Sequence, residues 1–309
     1  MIELVSVSKS FGDTGAVKNI SLKVNDHETL VLLGTSGCGK TTTLKMINRL
    51  IEPDSGEILI GGKNIAEQKP ETLRKSIGFV MQNIGLFPHY TVAENIAVGP
   101  KLLDWDAKKT KQRTLELIEK LHLPKDCLVL YPHELSGGQQ QRVGLARALI
   151  TDTPVLFMDE PFGALDNVTR SSIHAEFKAL DELKRKTIIM VTHDIQEAFE
   201  LGDRVCLMDR GEVVQIGSPK ELLYKPANDF AKKFLDSFRL TLEFKTATIE
   251  DIKSYFPQHV SEYETLSPDM SVWNALQQFS EQNIEATDSG IFVEITNAFH
   301  KYQKTQRYD

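Results

Sequence analysis

The stretch Leu30-Val31-Leu32-Leu33-Gly34-Thr35-Ser36-Gly37-Cys38-Gly39-Lys40-Thr41 decides the architecture of the chain. Its four leading apolar residues suit a short strand buried on both faces of a sheet. The next eight fit G-x-x-x-x-G-K-[ST], and Thr41 to Leu50 reads as a helix. A glycine-rich turn between strand and helix lets successive backbone N–H groups face one centre, where phosphate oxygens fit. The helix beginning at Lys40 adds the positive end of its dipole. Lys40 supplies a cation for the β- and γ-phosphates, and the Thr41 hydroxyl supplies a hard oxygen for Mg²⁺.

Outward from this point the periodicity changes character. Before it, Ile2-Glu3-Leu4-Val5-Ser6-Val7 and Ile20-Ser21-Leu22-Lys23-Val24 alternate, as antiparallel strands with one wet face do. After it, helical patterns at Lys108 to Leu121, Gln139 to Ile150 and Asn167 to Lys184 are interleaved with apolar strands at Pro154 to Met158 and Thr187 to Thr192. Strands alternating with helices predict an α/β domain with a mostly parallel sheet.

Two further strand ends carry chemistry. Val155-Leu156-Phe157-Met158-Asp159-Glu160 ends an apolar run in two carboxylates. At the tip of a central strand beside a phosphate loop, Asp159 suits Mg²⁺ and Glu160 suits activation of water. Thr192-His193-Asp194 ends another buried run, so His193 is placed to touch a γ-phosphate or to hold the water or Glu160. A lone acidic turn or lone histidine is more often structural. Their place after strands of one sheet is what favours catalysis.

Composition sets the outer limits. The 309 residues carry a formal net charge of −7, which does not suit a nucleic-acid partner, and none is expected. Cys38, Cys127 and Cys206 are too few and too scattered for a disulfide framework or a metal site. They read as ordinary thiols of a reducing compartment, with Cys38 the one placed where it could react. The start, Met1-Ile2-Glu3-Leu4-Val5, lacks the pattern of a signal peptide. No apolar run approaches the roughly 18 to 20 residues that cross a bilayer, so any membrane role needs another subunit.

Leu135-Ser136-Gly137-Gly138-Gln139, continued by Gln140-Gln141-Arg142-Val143-Gly144-Leu145-Ala146-Arg147-Ala148, resembles the signature of ABC (ATP-binding cassette) ATPases. The resemblance covers roughly Met1 to Leu235. It implies the P-loop ABC ATPase fold, with an antiparallel β subdomain and a helical subdomain at about 86–150, over residues 1–237. ATP and Mg²⁺ are the implied ligands. Phe11 matches the aromatic residue that stacks on adenine, keeping a π-face where tyrosine is common. Gly34, Thr35, Ser36, Gly37, Cys38, Gly39, Lys40, Thr41 and Thr42 match the phosphate loop, with Cys38 in place of the commoner serine. Thr41, Gln82 and Asp159 match the Mg²⁺ site, and Glu160 and His193 the base and the switch histidine. Ser136, Gly137, Gly138 and Gln139 would cap the γ-phosphate of ATP held by a second copy, with Asp166 crossing the same interface in a homodimer.

Within the family, Lys45 to Gly56, Gln82 to His89 and Pro161 to Asp166 resemble importers of quaternary-ammonium osmoprotectants such as glycine betaine, choline and carnitine. The resemblance implies transmembrane permease subunits and an extracytoplasmic substrate-binding protein or domain as partners. It places the chain peripherally at the cytoplasmic face of the cell membrane. Phe87-Pro88-His89 is either a docking point for the permease or a loop packed on its own domain. ABC ATPases of DNA repair or translation carry a coiled-coil insertion or a second cassette, and neither is visible. A non-hydrolysing sensor would lack Glu160 or the signature. Another small solute, such as an amino acid, is the alternative cargo.

Residues 238–309 form a separate small domain by composition. Leu266 to Leu276 resembles the opening of a CBS module, and an unrelated cap is the alternative. Trp273, Leu276 and Phe279 read there as the apolar face of a core helix.

Overall fold

The computed structural model of the protein describes residues 1–82, 84–163, 173–174, 176–257, 266–281 and 289–308. In chain order the described strands are β1 (Ile2–Phe11), β2 (Thr14–Val24), β3 (Thr29–Gly34), β4 (Ser55–Ile60), β5 (Lys63–Asn64), β6 (Ile77–Val80), β7 (Val155–Asp159), β8 (Thr187–Thr192), β9 (Arg204–Asp209) and β10 (Glu212–Gly217). The first six helices are α1 (Lys40–Ile47), α2 (Pro70–Lys75), α3 (Val92–Ile96), α4 (Val98–Leu102), α5 (Ala107–Lys120) and α6 (Gly137–Leu149).

The change of periodicity at residue 30 marks the passage of the chain from one sheet into a second, before β4 and β5 return to the first. The alternating N-terminal segments β1 and β2 join the later β4 and β5 in an antiparallel sheet of order β2-β1-β4-β5. The continuous apolar runs form a six-stranded sheet in the order β10-β9-β3-β8-β7-β6. Within it β3 is parallel to both β8 and β9, β7 to β8, and β6 to β7. Leu30 to Leu33 and Val155 to Met158 are buried throughout, as strands covered on both faces must be. Parallel strands in register end together. Leu33 is opposite Thr192 and Asp159 opposite Val191, so the C-terminal tips of β3, β7 and β8 share one edge, where open α/β sheets bind ligands.

The chain divides into two compact units, Met1–Val214 and Gln215–Asp309. The division falls before the shift in composition near residue 237. Helices Pro219–Tyr224 and Asp229–Asp236 are tied into the second unit. The Arg239 guanidinium donates to the Leu223 carbonyl at 2.8 Å and to Asp236 Oδ1 at 3.2 Å, and Lys220 pairs with Asp251 at 2.6 Å. The described part of the second unit is mainly helical, around a core that includes Ile249, Val272, Ile295 and Phe299. In its helix Val272–Glu281, the residues Val272, Ala275, Leu276 and Phe279 fall at i, i+3, i+4 and i+7 and face that core. Trp273, expected among them, lies about 100° round the helix from Val272. It is 41% exposed, with the Lys245 ammonium 6.0 Å from its ring centroid.

The helix expected over Asn167 to Lys184 is interrupted in its described part. Leu180 takes an extended conformation and buries its side chain, and a separate turn of helix runs Asp181–Lys184. Periodicity does not reveal such a break, because Phe177, Leu180 and Leu183 keep helical spacing across it.

Phe157, wholly buried in β7, tests the parallel core. Phe157→Ala should cost about 3–5 kcal/mol in the denaturant unfolding of the ATPase unit. A loss below about 1 kcal/mol would place Phe157 outside a close-packed interior.

Candidate active site

The turn from β3 into α1 is shaped by backbone that only glycine tolerates. Gly34 has φ +154°, and a Cβ there would stand 2.1 Å from the Met208 carbonyl oxygen of β9. Gly39, at φ +103°, would set a Cβ 2.5 Å from the Ala16 carbonyl. The turn is therefore pressed against its own domain at both ends. Between these anchors Thr35, Ser36 and Gly37 are exposed, while Cys38, Gly39 and Lys40 are buried. The Lys40 ammonium donates to the carbonyls of Gly34 at 2.8 Å and Thr35 at 2.9 Å, holding the loop closed around its own charge. The Cys38 sulfur lies 3.7 Å from that ammonium and is buried, so Cys38 is not the accessible thiol its loop position suggested. Thr42 is half-buried in the first turn of α1.

Next to the loop, the Thr41 hydroxyl donates to Asp159 Oδ1 at 2.9 Å. Burial raises the Asp159 carboxyl above the ordinary aspartate range, and the bond from Thr41 and the nearby Lys45 pull it partly back. A carboxylate and a hydroxyl side by side suit Mg²⁺, which keeps several waters and takes its remaining oxygens from phosphate. No cluster of three or more His, Cys, Asp or Glu side chains able to hold a metal exists among the described residues. An all-protein cage is thus not what this donor set offers.

Glu160 has φ +45°, a left-handed conformation uncommon for a side chain of its size. Its N–H donates to the Val191 carbonyl at 2.8 Å, fixing the turn to the end of β8. That turn aims the carboxylate between two partners: Gln82 Nε2 donates to Oε2 at 2.8 Å, and His193 Nδ1 is 3.3 Å from Oε1. Residues just beyond β6, β7 and β8 thus converge at one carboxylate. Positive φ at a functional position costs of order 1–3 kcal/mol and persists where surrounding contacts impose it.

Phe11, at the end of β1, is half-exposed, with the Lys9 ammonium 5.6 Å from its ring centroid. Ser136 is the N-cap of α6. Its hydroxyl accepts from Gln139 N–H at 3.3 Å, and Gln139 Oε1 accepts from Ser136 N–H at 2.9 Å. Ser136 and Gly137 are exposed, and Gly138 and Gln139 half-buried. Asp166, with Ala164 and Leu165, lies outside the described residues.

Two residues given no role by sequence reasoning organise the loop after Gln82. From α6, Arg147 donates to the carbonyls of Ile84 at 2.6 Å and Gly85 at 2.7 Å. Asn95 is fully buried, accepts from Phe87 N–H at 2.7 Å and donates to the carbonyls of Phe87, Tyr90 and Thr91. Phe87 itself stays exposed at the loop tip. A single sequence holds no signal for these clamps, because arginine and asparagine at such positions look like surface residues.

The ABC transporter family pattern matches residues 17–163. The glycine betaine/carnitine/choline transport ATP-binding protein OpuCA of Bacillus subtilis is 45% identical over all of this chain and 80% of its own length. The chain belongs to the ABC transporter ATP-binding family. The glycine betaine uptake system ATP-binding protein YehX of Escherichia coli is 46% identical over 92% of both chains. Among solved structures, the dimeric ATP-binding cassette MJ0796 bound to ADP and Pi superposes with a TM-score of 0.63 at 33% identity, covering 71% of this chain and 98% of that one. The fold is accordingly that of an ABC ATPase, and its chemistry is ATP hydrolysis.

The cradle around Lys40 is directly testable. Lys40→Ala removes a cation whose hydrogen bonds to phosphate are charge-assisted, so ATP affinity should fall about 10- to 100-fold in a calorimetric titration. An unchanged dissociation constant would place the nucleotide elsewhere.

Proposed function

We propose that the chain is the ATP-hydrolysing subunit of an importer for quaternary-ammonium osmoprotectants such as glycine betaine, carnitine or choline. The observation that carries the ATPase half is Glu160, aimed from a left-handed turn and held between Gln82 and His193. The cargo half rests on likeness extending along the whole chain to a betaine, carnitine and choline system.

In this reading ATP lies against Phe11 and the loop Gly34 to Thr42. Thr41, Gln82 and Asp159 would hold Mg²⁺ through oxygen, and its charge would offset that of the phosphates. Lys40 exchanges its two carbonyl partners for phosphate oxygens. Glu160 takes a proton from the attacking water, and His193 holds that water or Glu160 in line. The exposed tip at Ser136 and Gly137 caps the γ-phosphate bound to a second copy, with Gly138, Gln139 and Asp166 completing the interface. ATP is shared between two head-to-tail protomers, and hydrolysis removes the bridging phosphate. The permease subunits respond to closure and opening through the loop at Phe87-Pro88-His89. An extracytoplasmic binding protein delivers the solute, and the ATPase sits peripherally at the cytoplasmic face. In the described residues, no helix is long and apolar enough to cross a membrane.

Glu160→Gln should keep ATP binding, lower hydrolysis by about 100-fold or more and trap an ATP-dependent dimer in size-exclusion chromatography. Near-normal turnover would remove Glu160 from the role of base. For the cargo, the full complex in liposomes should show ATP hydrolysis stimulated by betaine, carnitine or choline and not by amino acids. Stimulation by an amino acid alone would overturn the cargo assignment and leave the ATPase reading standing.

A further inference from the structure

His193 lies just past β8 with its side chain largely in solvent, 62% exposed, and needs something else to fix its direction. The two residues that flank it supply this. The Thr192 hydroxyl, buried, accepts from Asp194 N–H at 3.0 Å and so bridges across His193. The same hydroxyl donates to Glu197 Oε2 at 2.7 Å. Glu197 is only 3% exposed and sits in the first turn of the helix Ile195–Leu201. That helix is capped by Asp194, whose Oδ1 accepts from the N–H groups of Gln196 at 2.8 Å and Glu197 at 3.1 Å. It packs on β3, the strand that feeds the phosphate loop, and buries Ile195, Ala198, Phe199 and Leu201.

We propose that Glu197 is a positioning residue for hydrolysis: through the Thr192 hydroxyl it fixes the peptide on both sides of His193 and holds the imidazole against Glu160. A hydroxyl has one proton to give. By taking that proton, Glu197 leaves the Thr192 lone pairs to the Asp194 N–H and fixes which way the hydroxyl turns. A buried carboxylate is costly to keep, and apolar packing alone would be served better by leucine. The arrangement also joins two parts of the site: Thr192 is opposite Leu33 in the sheet, one residue before the phosphate loop. The inference rests on the reading of His193 as a residue that holds water or Glu160 for attack.

The test is a double-mutant cycle on steady-state ATP hydrolysis by the assembled transporter. Glu197→Ala should lower kcat about tenfold while KM for ATP stays within about twofold, because the phosphate loop is untouched. Thr192→Val should reproduce that loss, and Thr192→Ser, which keeps the hydroxyl, should restore most of the rate. In a His193→Ala background, Glu197→Ala should cost little more, since the residue it positions is gone. Full additivity of the two losses, or wild-type kcat in Thr192→Val, would overturn the inference. Should Glu197→Ala fail to fold, the cycle of Thr192→Val with His193→Ala gives the same comparison. Wild-type kcat in His193→Ala alone would instead strike at the reading of His193, whatever Glu197 does.

Discussion

Parallel register in the central sheet is the constraint on which the site depends. Because β3, β7 and β8 run the same way and pair without slippage, Leu33, Asp159 and Thr192 arrive at one edge. Each strand then releases its chain into a turn that carries a functional group: the phosphate loop after β3, Glu160 after β7, His193 after β8. A slip of one residue in a strand would send its last side chain to the opposite face. The site is thus an outcome of sheet pairing before it is an outcome of side-chain chemistry.

The tips are then held by backbone rather than by side chains alone. Gly34 and Gly39 let the loop press against the carbonyls of Met208 and Ala16. The Glu160 N–H is committed to the Val191 carbonyl, tying the turn after β7 to the end of β8. Lys40 holds two carbonyls of its own loop. In the proposed reading those carbonyls give way to phosphate oxygens on a loop whose shape is already set. The same economy is seen at α6, where Ser136 and Gln139 cap each other and present the helix tip already formed.

Much of this is written locally in the sequence. A glycine pattern with a lysine at its end, a strand closing on two carboxylates and a strand closing on histidine are readable because each is contiguous. So is the contrast between alternating strands and continuous apolar ones, which separates the two sheets. What sequence does not expose are residues that act across the fold. Arg147 reaches the loop after Gln82 from a helix about sixty positions further along the chain, and Asn95 folds that loop around one side-chain amide. The start of the second compact unit at Gln215 is equally hard to read from sequence. Its first helices match the ATPase in composition, but Arg239 and Asp251 tie them to the C-terminal helices. Trp273 shows the converse: aromatic character suggested the core, and its angular position on the helix puts it at the surface.

The most direct test is a structure of the protein with Mg²⁺ and a non-hydrolysable ATP analogue. The γ-phosphate is expected within hydrogen-bond reach of Lys40 Nζ, the metal beside Thr41 and Asp159, and an ordered water between that phosphate and Glu160. Nucleotide bound with Lys40 still on the Gly34 carbonyl, or with Glu160 turned away from the phosphate, would contradict this arrangement.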